Sequence, residues 1–283
     1  MTGVRAASGE KPFIKWVGGK RQLLPHILPL VPAEFGRYHE PFLGGGALFF
    51  ALCPRQAVLS DSNTRLIRAY RGVRNHVAEV IDRLSQLTLG RAAFEAVRAL
   101  DIDADTDPAV AAWLIYLNKT GFNGLYRVNS RDEYNVPYGD MTNPNVCDAP
   151  RLRACSRVLA RAKLVDGPFE GVLRRAKPGD FVYFDPPYVP LSATSTFVSY
   201  TKAGFDMADQ QRLVEVAREL KRRGVHVLLS NSAAPAVYEL YRGFDVHEVQ
   251  TTRLVGAKAS SRGAIKELLI RGRRGPAAAR RSS

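Results

Sequence analysis

The sequence contains no long apolar run and few cysteines. No stretch of its 283 residues approaches the roughly 18 consecutive apolar residues of a membrane helix, and residues 1–10 lack the apolar core of a secretion signal. We therefore expect neither a membrane span nor export, and a cytoplasmic protein. The three cysteines, Cys53, Cys147 and Cys155, form no C-x-x-C pair, which favours reduced thiols over a disulfide framework or a structural metal.

Two nucleotide-binding signatures are incomplete. The glycine pair at residues 18–19 precedes a predicted helix over residues 21–30, but the spacing and the Ser or Thr of a P-loop are missing, which argues against a nucleotide triphosphatase. The glycine triplet at residues 44–46 also leads into a predicted helix, but Leu48 and Phe49 follow it where G-x-G-x-x-G requires another glycine. This departure argues against a nicotinamide cofactor.

The sequence has an excess of positive charge. Its formal net charge is +14, with 41 Lys and Arg residues against 27 Asp and Glu, and its pI is near 10.0. Such an excess favours polyanionic partners, because contacts to phosphates release bound counterions. Charge alone does not distinguish DNA, RNA and an acidic membrane surface. Some of it lies in residues 272–283, which we expect to be disordered, as we do residues 1–10.

The sequence Phe181–Phe184 predicts a short buried strand that ends on an acid. The strand brings Asp185 to a sheet edge that faces a crevice, and Pro186 and Pro187 then make a rigid turn whose carbonyls at Asp185 and Pro186 point outward. Tyr188 adds a flat aromatic face. Together these groups suit the amino group of a base that has left its stack. A strand followed by an ordinary surface turn has the same pattern.

A second group of residues indicates an adenosine-type cofactor. From Tyr38 the sequence predicts a strand, then the glycine turn, then a helix over Ala47–Leu52, and the glycines let the backbone approach a ligand closely. The next predicted strand ends on Asp61. In Rossmann-like folds a carboxylate at this position typically holds ribose hydroxyls.

Strands and helices alternate along most of the chain, which predicts an α/β fold with a mostly parallel sheet covered on both faces. Four successive predicted helices interrupt the alternation and indicate an inserted segment; they cover residues 65–74, 77–87, 91–100 and 108–117. A predicted β-hairpin with its turn at residues 130–133 follows, and its Asn, Arg and aromatic side chains suit base edges. The polar residues 189–206 are typical of a mobile active-site loop.

Six motifs in a fixed order carry a resemblance that covers residues 11–269. They are Lys15-Trp16-x-Gly-Gly-Lys20, Glu40-Pro-Phe42-x-Gly44-x-Gly46, Asp61-x-Asn63, Leu-Asn118-x-x-Gly-x-Asn123-Gly-Leu125-x-Arg127, Asp185-Pro-Pro-Tyr188 and Pro-Leu191-Ser-Ala-Thr194. On these motifs the sequence resembles the Dam-type DNA adenine-N6 methyltransferases. The resemblance implies an S-adenosylmethionine-binding, Rossmann-like catalytic domain (residues 1–63 and 151–283) interrupted by a mainly helical DNA-binding domain (residues 64–150) that carries the hairpin.

The resemblance also implies roles for individual residues. The catalytic motif corresponds to Asp185, Pro186, Pro187 and Tyr188. The cofactor-binding positions correspond to Trp16, Lys20, Glu40, Phe42, Gly44, Gly46, Asp61 and Asp185. The positions that touch DNA correspond to Lys15, Phe122, Asn123, Leu125, Arg127, Asn129 and Pro137. The usual target of the family is the adenine of GATC. One departure is that Asp140 and Met141 stand where close relatives carry a basic and an aromatic residue.

The expected chemistry concerns the amino nitrogen of adenine, a weak nucleophile because its lone pair is delocalised into the ring. Hydrogen bonds from its two hydrogens to the Asp185 carboxylate and the Pro186 carbonyl would localise that pair, and no covalent intermediate is needed. We expect Phe122 to fill the gap left by the flipped base, although Phe is more often a core residue. A cytosine-C5 enzyme usually needs a cysteine after a proline, and none of the three cysteines follows one.

Two alternatives stay open: an enzyme of the same fold that acts on cytosine N4 or on RNA, and a non-catalytic DNA-binding module. Asp rather than Ser or Asn before Pro-Pro-Tyr favours adenine. For specificity, Arg127 suits guanine O6 and N7, Leu125 and Pro137 suit a thymine methyl, and Lys15 can reach the guanine before the target. We therefore expect a metal-free monomer that methylates GATC in double-stranded DNA, with low processivity because Asp140 lies near the phosphates.

Overall fold

The computed structural model describes residues 9–16, 18, 20–191, 205–252 and 264–272. Its centre is a seven-stranded sheet of order β3-β2-β1-β4-β5-β7-β6. The first five strands in this order are parallel, and β7 runs antiparallel to both of its neighbours. The strands are β1 (Tyr38–Glu40), β2 (Ala57–Asp61), β3 (Ala162–Asp166), β4 (Phe181–Phe184), β5 (His226–Ser232), β6 (Asp245–Thr252) and β7 (Ala264–Gly272).

Nine α-helices lie in the described part of the chain: α1 (Leu24–Ile27), α2 (Ala47–Leu52), α3 (Thr64–Asn75), α4 (Val77–Gln86), α5 (Arg91–Arg98), α6 (Asp107–Thr120), α7 (Ala149–Leu159), α8 (Met207–Arg222) and α9 (Pro235–Leu240). Most agree with the sequence prediction. The helix expected over residues 21–30 is present as three short helical pieces, the 3₁₀ turns Lys20–Gln22 and Leu28–Leu30 on either side of α1. Pro25 and Pro29 each start a new short helix there, because proline cannot donate the backbone hydrogen bond of a helix interior.

The order of the sheet reverses between β1 and β4, which lie side by side at its centre. Tyr38 pairs with Phe181 and His39 with Val182, so the two strands run in register toward the same edge. Glu40 therefore ends its strand beside the strand that leads to Asp185. In open parallel sheets, ligands bind in the crevice outside the carboxyl ends of the strands at such a reversal.

Alternate residues of β4 face two separate cores. Phe181 and Tyr183 belong to the core beneath α2 and α3, whereas Val182 and Phe184 belong to the core beneath α8 and α9. All four side chains are almost completely buried. The prediction of an α/β sheet covered on both faces is confirmed, and the apolar sequence of β4 follows from burial on both sides.

The four predicted helices of the insertion correspond to α3, α4, α5 and α6. Helix α6 is apolar on nearly all sides and lies among the others, with Trp113 donating its indole N–H to the carbonyl of Val97 at 3.0 Å. The core of these helices continues without a break into the core under one face of the sheet. The division of the chain at residues 64 and 150 stays a prediction.

The predicted hairpin is present as an interrupted antiparallel ladder. Its turn lies at residues 129–133, where the N–H of Asn129 donates to the carbonyl of Glu133 at 2.9 Å. Nearer its base, the N–H of Phe122 donates to the carbonyl of Pro137 at 2.9 Å. Between these points the backbone of Phe122–Gly124 forms a short 3₁₀ turn with Asn123 at φ +55°, which breaks the strand pairing.

Some sequence predictions fall on residues that the structure does not describe. The mobile loop was predicted over residues 189–206, of which residues 192–204 lie outside the described part of the chain. Nearly all of the predicted disordered ends, residues 1–10 and 272–283, also lie outside it.

Candidate active site

Strand β4 ends at the turn Asp185-Pro186-Pro187-Tyr188, and Asp185 is held there from two directions. Lys20 Nζ lies 2.7 Å from Asp185 Oδ1, and the hydroxyl of Ser230 on β5 donates to the same oxygen at 2.9 Å. Ser230 is in turn within 3.0 Å of the hydroxyl of Tyr183. The carboxylate therefore has a fixed orientation, with Oδ2 outside these contacts.

Burial and a neighbouring cation have opposite effects on the pKa of Asp185. Burial raises the pKa of the Asp185 carboxyl, and the ammonium of Lys20 opposes that rise. The Lys20 side chain is only 7% exposed. A buried cation of this kind is retained in proteins when it has a paired anion. The sequence placed Lys20 with the cofactor, and the structure places its ammonium at the catalytic turn.

The ring and the hydroxyl of Tyr188 have separate partners. Lys20 Nζ lies 4.5 Å from the centre of the ring, within the range of a cation–π contact. The hydroxyl donates to Glu267 Oε2 at 2.7 Å, and Glu267 Oε1 accepts from the hydroxyl of Thr251 at 2.6 Å. The aromatic ring is thus fixed through strands β7 and β6.

The glycine turn and Asp61 lie together next to this turn of β4. The N–H of Gly44 donates to Asp61 Oδ2 at 3.1 Å, and the N–H of Asn63 donates to Asp61 Oδ1 at 3.0 Å. Burial raises the pKa of Asp61 to about 6 in spite of these hydrogen bonds. Gly46 follows at the start of α2. Each Asp61 oxygen has a further lone pair with which to accept from a hydroxyl.

Glu40 and Phe42 complete the wall between the two carboxylates. Glu40 is 3% exposed and accepts from the hydroxyl of Tyr38 at 2.9 Å. Burial raises the pKa of Glu40 well above its ordinary value, and the nearby Asp185 raises it further. Phe42 stacks on Phe169 with ring centres 5.3 Å apart.

Trp16 approaches the glycine turn from the other side. Its ring stacks on Tyr126 with centres 5.6 Å apart, and a side chain at Gly44 would place its Cβ only 2.7 Å from Trp16 Cδ1. Only glycine leaves room for the indole there. The predicted cofactor residues Trp16, Glu40, Phe42, Gly44, Gly46 and Asp61 thus lie at or just after the carboxyl ends of β1 and β2, or against the glycine turn, and Lys20 and Asp185 lie at the end of the neighbouring strand β4.

Lys15 lies against the base of the hairpin. Its N–H donates to Asn118 Oδ1 at 2.8 Å, and Asn118 Nδ2 donates to the carbonyls of Lys15 and Gly124, each at 2.8 Å. A Cβ at Gly124 would lie 2.9 Å from Lys15 Cδ. Asn118 therefore joins Lys15 to the hairpin, so that both lie at one surface.

The exposed side of the hairpin carries the other residues predicted to touch DNA. Phe122 is 47% exposed, so the alternative that it is a core residue is wrong. Asn123 and Pro137 are also exposed, and Leu125 is half-buried. An exposed aromatic side chain at the base of a polar ladder is available to a partner.

Two polar residues of the hairpin bind within the hairpin itself. Arg127 donates from Nε to Asn135 Oδ1 at 2.7 Å and from Nη2 to the carbonyl of Asn135 at 3.0 Å. Asn129 donates to Glu133 Oε2 at 2.7 Å, and its Oδ1 accepts two backbone N–H groups of the turn. Asn129 thus shapes the turn in this structure, and its contact with DNA stays a prediction.

Ser230, Glu267 and Asn135 are site residues that the sequence did not reveal. Each lies far along the chain from its partner, or on the opposite strand of the hairpin. The sequence of β7 does not alternate around Glu267, since Lys266 precedes it and three apolar residues follow it, so no local pattern identifies Glu267 as a partner of Tyr188.

The family assignment comes from comparison with known proteins. A family model described as D12 class N6 adenine-specific DNA methyltransferase matches residues 16–255, which include every residue of the crevice except Lys15 and Glu267. The chain belongs to this family. The resemblance seen in the sequence motifs is confirmed, and so is the prediction of an adenine-specific DNA methyltransferase.

Named relatives of this methyltransferase come from bacteria and archaea. It is 45% identical to the type II methyltransferase M1.LlaDCHI of Lactococcus lactis, over 92% of this chain and 94% of the relative. It is 39% identical to the type II methyltransferase M.MjaIII of Methanocaldococcus jannaschii, over 92% and 98%. It is 32% identical to the DNA adenine methylase of Escherichia coli, over 92% and 94%.

Two kinds of feature are absent from the described residues. No helix in this part of the methyltransferase combines the length and the apolar character that crossing a membrane requires. Within the same residues, no three His, Cys, Asp or Glu side chains gather in a way that could hold a metal ion.

Proposed function

We propose that this methyltransferase moves the methyl group of S-adenosylmethionine to N6 of an adenine that has flipped out of double-stranded DNA, within GATC. The observation that carries the proposal is the turn at Asp185, whose carboxylate is oriented by Lys20 and Ser230 beside the ring of Tyr188. Membership of an adenine-specific DNA methyltransferase family supports the substrate.

The crevice residues fit S-adenosylmethionine. Asp61 offers carboxylate lone pairs to ribose hydroxyls, and the Gly44 backbone and the Trp16 ring border the space beside it. Lys20 lies between this space and the catalytic turn. When bound, S-adenosylmethionine supplies the electrophilic methyl group.

The chain's own residues prepare the adenine. Asp185 and the carbonyl of Pro186 accept the two hydrogens of the amino group, which localises the nitrogen lone pair for attack in line with the methyl group. Tyr188 stacks on the base, and base–aromatic stacking contributes about 1–3 kcal/mol. The Lys20 ammonium lies 4.5 Å from the centre of the same ring, so we infer that it shifts when the base enters.

The inserted helical segment and the hairpin are proposed to hold the DNA. Lys15 and the exposed Phe122 lie at the end of the hairpin near the crevice, where Phe122 can fill the gap left by the flipped base. Arg127, Leu125 and Pro137 are proposed to read the remainder of GATC. We also propose that the methyltransferase acts at the nucleoid of a prokaryote, or on phage DNA, and that it acts as a monomer.

The test is to incubate the purified protein with S-adenosylmethionine and methylation-free duplex DNA, and then to map modified bases by sequencing. We expect N6-methyladenine at GATC. Methylation at cytosine N4, or activity on RNA alone, would favour the alternative enzyme, and no modification of any nucleic acid would favour a non-catalytic DNA-binding module. N6-methyladenine outside GATC would overturn the specificity and leave the chemistry standing.

A further inference from the structure

The catalytic turn is held from beneath by two amide side chains that are fully buried, Gln210 on α8 and Asn231 on β5. Gln210 Nε2 donates to the carbonyl of Pro187 at 2.8 Å. The N–H of Val189 donates to Asn231 Oδ1 at 3.1 Å, and Asn231 Nδ2 donates to Gln210 Oε1 at 3.1 Å. The two amides thus form a continuous chain of hydrogen bonds from the carbonyl of Pro187 to the N–H of Val189, the residue that follows the turn.

The direction of this chain is fixed by backbone donors. Asn231 Oδ1 accepts two backbone N–H groups, from Val189 and from Ser232 at 2.8 Å, so the oxygen of Asn231 must face them. Its amino group then has to donate to Gln210 Oε1, which leaves the amino group of Gln210 to donate to Pro187. Rotation of the Gln210 amide would break two hydrogen bonds, and rotation of the Asn231 amide would break three.

The backbone carbonyls of Pro186, Pro187 and Val189 differ in whether they accept a hydrogen bond from the protein. The carbonyl of Pro187 is taken by Gln210, and that of Val189 accepts from the hydroxyl of Ser232 at 2.6 Å. Among the described residues, none donates a hydrogen bond to the carbonyl oxygen of Pro186. Proline contributes no N–H of its own, so side chains from elsewhere must fix this turn.

We propose that Gln210 and Asn231 are positioning residues, which hold the carbonyl of Pro187 and the N–H of Val189 so that the carbonyl of Pro186 stays available to the substrate amino group. This inference rests on the proposed function. Neither side chain touches the substrate, so their effect is on the rate of methyl transfer and not on the binding of DNA or S-adenosylmethionine.

The test compares Gln210→Glu with the matched control Gln211→Glu, the next residue of α8, which is exposed. In Gln210→Glu an ionised carboxylate turns an acceptor toward the Pro187 carbonyl, and a protonated carboxyl restores a donor. Single-turnover methyl transfer is measured from about pH 8 down to about pH 6 with saturating DNA and S-adenosylmethionine, and melting temperatures show where each variant is folded.

We expect Gln210→Glu to be about tenfold or more slower than wild type at the higher pH, with KM values unchanged and the deficit narrowing as the pH falls. Gln211→Glu should match wild type throughout. If Gln210→Glu does not fold, Gln210→Met removes the donor without adding charge, and it should show the same slow transfer without the pH-dependent recovery.

A wild-type rate of methyl transfer in folded Gln210→Met, which lacks the donor at every pH, would overturn the inference alone. A wild-type protein that transfers no methyl group to DNA would overturn the proposed function and the inference with it.

Discussion

The catalytic turn and the hairpin differ in where their side chains find partners. Asp185 and Tyr188 bind Lys20, Ser230 and Glu267, which come from distant parts of the chain. Among the described residues, the side chains of Arg127 and Asn129 form their hydrogen bonds within their own hairpin. The chemical centre is therefore positioned by the whole fold, whereas the proposed reading residues are positioned by a local ladder. Changes in the hairpin should alter which sequence is methylated and leave the chemistry intact.

The largest effect should come from the catalytic turn. Asp185→Ala removes an acceptor at the reacting nitrogen and leaves Lys20 without its carboxylate, so we expect the methyl-transfer rate to fall by at least about 100-fold. DNA affinity, measured by fluorescence anisotropy, should persist because no phosphate contact is lost. Wild-type turnover in this variant would refute the proposed mechanism.

Two substitutions of Tyr188 distinguish the role of its ring from the role of its hydroxyl. Tyr188→Ala should slow methyl transfer by about 10-fold to 100-fold, because it removes a stacking face that contributes about 1–3 kcal/mol. Tyr188→Phe keeps the ring and loses only the hydrogen bond to Glu267, so its defect should be smaller. Equal defects in single-turnover assays of the two variants would assign the role to the hydroxyl instead.

A substitution of Arg127 tests the hairpin, which we propose reads the DNA sequence. Arg127→Ala should reduce discrimination at the final guanine–cytosine pair of GATC by about 1–3 kcal/mol. Competition between GATC and singly substituted duplexes measures this directly. Asn135→Ala removes one of the two hydrogen bonds that hold the guanidinium and leaves the bond to the backbone carbonyl, so it should give a weaker change in the same direction. A uniform loss on all duplexes would show that Arg127 contacts the DNA backbone and not a base.

The smallest effect should be a pH dependence at Asp61. Its pKa is near 6, so the carboxylate gains a proton as the pH falls below that value, and the KM for S-adenosylmethionine should rise several-fold. The pKa of Asp61 is higher in the folded than in the unfolded protein. Without S-adenosylmethionine, the contribution of Asp61 to the free energy of unfolding should therefore increase as the pH falls. In Asp61→Asn the KM should be high at every pH. A wild-type KM that is constant down to about pH 5 would contradict the ribose contact.

The sequence allowed the elements that bear the site to be predicted, because the signals were local. Phe181–Phe184 is apolar because it faces two cores, and the prolines after it define the turn. Partners from distant strands could not be predicted in the same way. Glu267 meets Tyr188 only because β7 enters the sheet between β5 and β6, and nothing in the sequence near either residue indicates that pairing.

The short helices at residues 20–30 show where the helix prediction from the sequence was incomplete. One helical run was expected, but the structure has a 3₁₀ turn at Lys20–Gln22, then α1, then a second 3₁₀ turn at Leu28–Leu30. Lys20 lies in the first of these pieces, and its ammonium contacts Asp185.

The position of β7 has a consequence for the order in which the protein is built. A ribosome produces the five parallel strands first, and the two-stranded extension of β6 and β7 follows. The hydroxyl of Tyr188 has its partner Glu267 only after β7 has emerged and inserted between two strands already made. A nascent chain that has folded its parallel sheet therefore still lacks the hydrogen bond that orients the ring of Tyr188.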